Sequence, residues 1–361
     1  MVNLKVELAG KTYPLFIGID ILARLGEIYQ LYGYKQRAIL ITNLSSTENS
    51  YLNIVIENFK QQNINIIPIF LTPHQIANGL RTVQQVALKL VKHKIQPGET
   101  IISLGGSQLG NISAFIAQIV YGGVPYFQIP TTLTAQVVQS VDPVCRLNSG
   151  SLVNLLSIKY ERSLVWSDIA LLRSLPERNF VNGLGYVIQC ACLLNNGLFD
   201  FVENNLKEIF TVNLEVMEEI VFRSCQSRID LSKQRFDEPK NQKRISFGEF
   251  MASVFMESTQ NEVKFGEALL FGMLIEAILA FRSGVFNSSH FERFYEVLKQ
   301  IPFYPFINQI DQKKLIKCLK DKISHHKPPA LHSPQEFGKF TSYEDYQLSD
   351  FIFAFDLIIS N

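Results

Sequence analysis

The 361-residue sequence has little of what would mark a secreted, membrane-spanning or nucleic-acid-binding chain. Its cysteines are Cys145, Cys190, Cys192, Cys225 and Cys318, an odd number without CxxC pairing. That pattern speaks for reduced thiols packed as small apolar side chains, and against a zinc knuckle. Neither sign of charge is in excess: Lys and Arg number 34, Asp and Glu 33, and the formal net charge is +1. Nothing electrostatic therefore points to a nucleic acid as partner. Long hydrophobic runs are absent as well. The most apolar stretch, Ala268 to Phe281, is interrupted by Glu276 and falls short of the ~20 residues a bilayer needs, so it reads as a buried helix. The opening MVNLKVELAGKTYPLF has no charged start followed by an apolar block and a small-residue cleavage site. A cytoplasmic protein is expected.

What is present is ample core material, with 47% apolar and 19% charged residues. Single cores rarely grow past roughly 250 to 300 residues, so two domains are expected. Residues 1–169 alternate between strand and helix periodicities, with β-rich runs at Arg37–Thr42, Ile64–Leu71, Thr100–Leu104, Tyr126–Ile129 and Ser163–Trp166. Between them, Val83, Val86, Ala87, Leu90 and Val91 mark one face of a helix. Residues 170–361 read as mostly helical, as in the spacing of Phe210, Leu214, Met217 and Val221. Ser324 to Gln335, with its His pair and Pro328-Pro329, reads as an exposed loop. The fold class expected is a Rossmann-like α/β domain followed by a mostly α-helical domain, with ligand bound in a cleft between them.

The run Thr100–Leu104 leads into Gly105-Gly106-Ser107-Gln108-Leu109-Gly110-Asn111, with a helix expected from about Ser113. Glycines between a strand and a helix let the backbone approach a phosphate, and the helix start offers free N–H groups. The same turn also exists in proteins merely to pack a helix on a sheet, so alone it leaves a phosphate site and a structural turn equally open.

Read with its neighbours, the turn becomes more specific. The segment SLGGSQLGNISAFIAQIVYGGVPYFQIPTTLTAQVVQSV resembles the 3-dehydroquinate synthase pattern LGGGVIGDLAGF, a YxRGV step and QVPTTLLAQVDSSVGGK. LLRSLPERNFVNGLGYVIQ resembles TLPERE…GLAEVIK, ISFGEF resembles LNFGHTF, and VKFGEALLFGM resembles LHGEAVAIGM. Order and spacing hold from IGIDILARLG to the Asp321-Lys322 pair. The resemblance implies an N-terminal NAD-binding domain, a C-terminal domain holding a divalent metal, and a homodimer. It also implies a reaction that cyclises a seven-carbon sugar phosphate through transient oxidation by NAD, phosphate elimination, reduction and ring closure.

The residues that carry this chemistry in the family are largely replaced. Its metal-binding Glu falls on Tyr186, and the His residues opening HTFGH and HGEA fall on Glu249 and Lys264. One carboxylate, one phenol and one ammonium do not make the three or more donors a divalent ion needs, so no metal is expected. Glu249 and Lys264 are expected to face each other as an ion pair, with Tyr186 filling volume beside them. The family's active-site lysines fall on Val144, Val153 and Gln189, a second histidine on Ser253 and the YxRGV arginine on Gly122. An anionic substrate thereby loses its charge-assisted bonds.

The resemblance assigns NAD contacts to Gly105, Gly106, Gly110, Asn111, Thr131, Thr132 and Asn43, with Asn111 and Asn43 replacing aspartates. The family's GEaxK motif becomes Gln75-Ile76-Ala77-Asn78-Gly79. Arg228, Asn154 and Lys322 are the remaining matches to substrate-side polar positions, and Glu249, Lys264, Arg228 and Lys322 are the catalytic candidates. Outside these positions, the histidines of the second half are His290, His325, His326 and His332. The leading expectation is a non-catalytic homologue, cytoplasmic and homodimeric, serving an unidentified protein partner or metabolite. The alternatives are a metal-independent cyclase or lyase using Glu249 as base and Lys264 as acid or electrophile, and a purely structural role for each isolated feature.

Overall fold

A computed structural model describes residues 1–8, 11–43, 48–77, 79–149, 152–237, 246–303, 311–325 and 330–359. The chain divides into two compact units, Met1–Leu175 with Met217–Lys233, and Pro176–Val216 with Gln234–Asn361.

The first unit opens with an antiparallel hairpin, β1 (Val2–Leu8) and β2 (Lys11–Gly18). It continues through α1 (Leu25–Leu31), β3 (Arg37–Asn43), α2 (Glu48–Gln61), β4 (Asn65–Leu71), α3 (Pro73–Ala77) and α4 (Gly79–Lys92). Then follow β5 (Thr100–Gly105), α5 (Ser107–Ile119), β6 (Tyr126–Pro130), α6 (Leu133–Val137), the hairpin β7 (Val144–Ser149) and β8 (Leu152–Lys159), and β9 (Leu164–Asp168). Seven of these strands form one sheet in the order β1-β2-β9-β6-β5-β3-β4, parallel from β2 onward.

Alternate residues of the central strands feed two cores, as the two-residue period of a strand requires. Ala38, Leu40, Ile102, Leu104, Phe127 and Trp166 face one side with α1 and α2. Ile39, Ile41, Ile101 and Tyr126 face the other with α4 and α5. The single tryptophan, Trp166, is fully buried and donates its indole N–H to Ile21 O at 3.1 Å. Pro68 is tolerated inside β4 because β4 is an edge strand, where a missing N–H costs no ladder bond.

The second unit is built mostly of helices: α7 (Glu177–Leu194), α8 (Asn196–Asn204), α9 (Leu206–Phe210), the ends of α10 (Leu214–Asp237), α11 (Glu249–Ser258), α12 (Phe265–Arg282), α13 (Ser288–Lys299), α14 (Gln312–His325) and α15 (Leu348–Ile359). A hairpin of β10 (Leu331–Glu336) and β11 (Lys339–Tyr343) interrupts them. Every residue of α12 from Gly266 to Ala280 is buried, and among the described residues no helix is long and apolar enough to cross a membrane. α12 meets its neighbours at glycines. A Cβ on Gly266 would stand 1.8 Å from Asn182 O of α7, and one on Gly272 would stand 2.1 Å from Gly248 O.

Several expectations need correction. The helix after the glycine turn starts at Ser107, not near Ser113, because Gly110 lies inside its first turns. Val91 is 73% exposed, and Thr82 completes the buried face of α4 in its place. Phe210 ends α9 and is exposed, so the α10 face begins at Leu214. Residues 331–335 form a strand with Leu331 and Ser333 buried, whereas His326, Pro328 and Pro329 lie outside the described residues.

Candidate functional site

Two sets of residues are of interest, one in each unit. In the first unit, β5 ends at Gly105 and α5 begins at Ser107, with Gly106 as an N-cap that makes no side-chain capping bond. The first N–H groups of a 13-residue helix are therefore left for an external acceptor. Thr131 N donates to Gly105 O at 3.1 Å, which draws the end of β6 against the turn. Two buried hydroxyl oxygens here, Ser107 Oγ and Thr131 Oγ1, have no hydrogen-bond partner among the described residues. Space is tight: a Cβ on Gly105 would lie 3.2 Å from Asn43 Oδ1, and one on Gly106 would lie 3.1 Å from Thr132 Cγ2. Thr132 itself is committed to capping α6, its hydroxyl accepting from Ala135 N. Glycine backbone, unused helix N–H groups and orphaned hydroxyls fit a diphosphate.

One neighbour of the turn was not foreseen. The Gln139 amide sits against Gly110, where a Cβ would come within 2.4 Å of its Nε2. It donates to Ser107 O at 2.9 Å and Asn111 Oδ1 at 3.2 Å, and accepts from Gln128 Nε2 at 2.8 Å. Asn111 is thereby tied to the protein on the side where the resemblance expects a cofactor-binding aspartate. Nothing in the sequence around Gln139 signals this.

In the second unit, the three positions aligned with the family's metal ligands are all half-buried. Tyr186 on α7 stacks on Phe265, ring centroids 6.0 Å apart with 25° between planes. Lys264 is the N-cap of α12, its backbone N–H donating to Glu267 Oε2 at 2.9 Å. Burial pushes its ammonium below the usual lysine range, Glu267 opposes that shift, and Arg178 adds to it. Glu249 is the first residue of α11. The Glu267 carboxylate opposes the lowering at Lys264, and Glu249 raises the buried Glu276. Glu267 is buried and accepts from Arg178 Nε at 2.7 Å and Nη2 at 3.0 Å.

Glu276 is a fully buried carboxyl of this unit. It lies on α12, and its carboxylate accepts from Gly248 N at 2.7 Å and Met251 N at 3.1 Å. Gly248 reaches this position at φ 82°, a backbone conformation that suits glycine. Burial pushes the Glu276 carboxyl up to about 8, against the N–H groups of Gly248, Met251 and Phe250, while Glu249 raises it further. The break Glu276 makes in an apolar stretch was its sequence signal.

Lys322 Nζ lies 3.2 Å from Glu257 Oε2. Arg228 is half-buried on the α10 segment that belongs to the first unit. Gln189 donates to Phe247 O at 2.9 Å, Ser253 Oγ to Phe250 O at 2.7 Å, and Gly122 sits in open space at φ 75°. The side chains of Val153 and Asn154, and all of Asn78, lie outside the described residues. Among the described residues, no three His, Cys, Asp or Glu side chains gather in a way that could hold a metal ion. A tyrosine packed on a phenylalanine, a carboxylate and an N-cap ammonium do not fit a divalent ion as a donor set.

A sequence profile described as 3-dehydroquinate synthase N-terminal matches residues 69–182, and its C-terminal counterpart matches residues 183–323. The chain belongs to the 3-dehydroquinate synthase family. It is 27% identical over 342 residues to a 3-dehydroquinate synthase of Thermodesulfovibrio yellowstonii, covering 94% of this chain and 95% of that protein. A second such enzyme, from Dictyoglomus thermophilum, is 27% identical over 357 residues, with 98% of each covered. Solved structures share the fold. A 2-deoxy-scyllo-inosose synthase complexed with carbaglucose-6-phosphate, NAD+ and Co2+ superposes with a TM-score of 0.86 at 17% identity, over 98% of this chain and 99% of that one. A 2-epi-5-epi-valiolone synthase from Streptomyces hygroscopicus subsp. jinggangensis with NAD+ and Zn2+ bound gives 0.83 at 17% identity, covering 98% of each.

Proposed function

We propose that this member of the 3-dehydroquinate synthase family does not carry out the family's metal-dependent cyclisation and serves instead as a cytoplasmic, homodimeric protein that binds a nucleotide or a protein partner. The observation carrying this reading is the replacement of the metal donors by an N-cap ammonium, Lys264, and by a tyrosine stacked on Phe265. The family's chemistry needs a Lewis acid on the substrate oxygens, and an ammonium at the same position repels a divalent cation.

The glycine turn keeps what a dinucleotide's diphosphate requires, so NAD binding is retained and weakened. Gly105, Gly106, Ser107 and Thr131 would hold the diphosphate, with Asn43 close by. NAD, when bound, supplies a hydride acceptor.

The decisive experiment is phosphate release from the family's heptulosonate phosphate by the purified chain with NAD and zinc or cobalt. Release no higher than in a metal-free control is expected, and release well above it overturns the proposal. A second reading, acid chemistry by Lys264 without metal, is favoured by the lowered ammonium and requires turnover that chelators leave intact.

A further inference from the structure

In the sheet of the first unit β3 lies between β4 and β5. The chain leaves β3 through α2 on one face of the sheet, then passes from β4 to β5 through α4 and leaves β5 through α5 on the other. The helices therefore change sides between β3 and β5, and doubly wound sheets hold their ligands outside the carboxyl ends of the strands at such a switch. The two residues that end these strands are Asn43 and Gly105.

Both residues belong to one side of the sheet. The two-residue period of a strand puts Asn43 on the face of Ile39 and Ile41, and Gly105 on the face of Ile101, which is the face covered by α4 and α5. They also stand close together, since a Cβ on Gly105 would lie 3.2 Å from Asn43 Oδ1. Other polar side chains around the turn are spoken for: Asn111 Oδ1 accepts from Gln139 Nε2 at 3.2 Å, and the Thr132 hydroxyl accepts from Ala135 N at 3.2 Å. Asn43 is half-buried, and among the described residues its carboxamide has no hydrogen-bond partner. It is left for a ligand.

In dinucleotide folds of this kind an acidic side chain beside the glycine turn accepts from the 2′-hydroxyl of the adenosine ribose. The same negative charge rejects a 2′-phosphate, so one carboxylate both binds one cofactor and excludes the other. The residues that end β4, β3, β5 and β6 are Leu71, Asn43, Gly105 and Pro130, and none of them is acidic. A carboxamide accepts from a hydroxyl through its oxygen or donates to a phosphate through its N–H2 group, and it has no charge with which to choose between them.

We infer that Asn43 removes the choice between the two dinucleotides, so that the site takes NAD and its 2′-phosphorylated form, NADP, with comparable affinity; this rests on the nucleotide binding proposed above. The test is calorimetric titration of the full chain with NAD and with NADP at about 0.15 M salt, where diffuse attraction of the extra phosphate is screened. Dissociation constants within about threefold of each other are expected, and NADP should displace NAD. Asn43→Asp, a change of nearly equal size, should weaken NADP by about tenfold or more and leave NAD no weaker, because a carboxylate then faces the phosphate. A difference of about tenfold or more between the two in the parent, simultaneous binding of both, or an unchanged ratio in Asn43→Asp would each overturn the inference while NAD binding itself stands. Binding of neither dinucleotide would overturn the nucleotide reading, and this inference with it.

Discussion

Replacing Glu276 with glutamine should flatten the pH dependence of stability between about pH 5 and pH 8. In the folded chain, burial holds the Glu276 carboxyl protonated up to about 8, whereas the ordinary value is 4.5. Between those two values the folded chain keeps a proton that the unfolded chain has released. Stability from this group is therefore fully present below the ordinary value and is lost as pH rises through the folded one. The slope approaches about 1.4 kcal/mol per pH unit while one whole proton separates the two states. Glutamine keeps the shape and an acceptor for Gly248 N or Met251 N, but turns an amide N–H2 toward donors, a cost of about 1–2 kcal/mol. The stability of the parent relative to the variant should thus fall by roughly 2 kcal/mol between pH 5.5 and pH 7.5. Other titrating groups are present in both proteins and cancel in the difference. Urea unfolding followed by far-UV circular dichroism at three pH values measures it. Parallel stability curves for parent and variant would refute the assignment of the proton to Glu276.

Tyr186→Glu, Glu249→His and Lys264→His together should restore a zinc site. Zinc at about a hundredfold excess over its Kd would then stabilise the triple variant by about 2.7 kcal/mol and leave the parent unchanged; a variant indifferent to zinc would refute the equivalence of these positions. Gly110→Ala should lower stability by about 1–2 kcal/mol in thermal melts, because the new Cβ meets the Gln139 amide. Adding Gln139→Ala should recover part of that loss, and strictly additive losses would show that the two positions do not touch.

Much of the first unit was legible because its strands are short, apolar and buried on both faces, as Thr100–Gly105 is throughout. The start of α5 was not, since glycine's low helix propensity hides a helix whose close packing on Gln139 leaves no room for a side chain at Gly110. The start of β10 reads as loop in the sequence because the His325-His326 pair and Pro328-Pro329 stand just before it, whereas Leu331 and Ser333 are buried in the strand. At the candidate site, residue types were readable and partners were not. Glu249 and Lys264 carry opposite charges, yet the carboxylate that accepts from the Lys264 backbone N–H is the buried Glu267.

The division of the chain has a consequence for its synthesis. The first unit is not finished at Leu175, since it also contains Met217–Lys233, after an excursion that builds part of the second. Met217 and Val221 are fully buried, Cys225 Sγ donates to Gln136 O at 3.2 Å, and the N-terminal amine meets Glu218 at 3.7 Å. At about 5–20 residues per second, the ribosome must run several seconds past Leu175 before these partners exist. Until then the Gln136 carbonyl of α6 is uncovered, and a chain stopped after Leu175 would stay in that state.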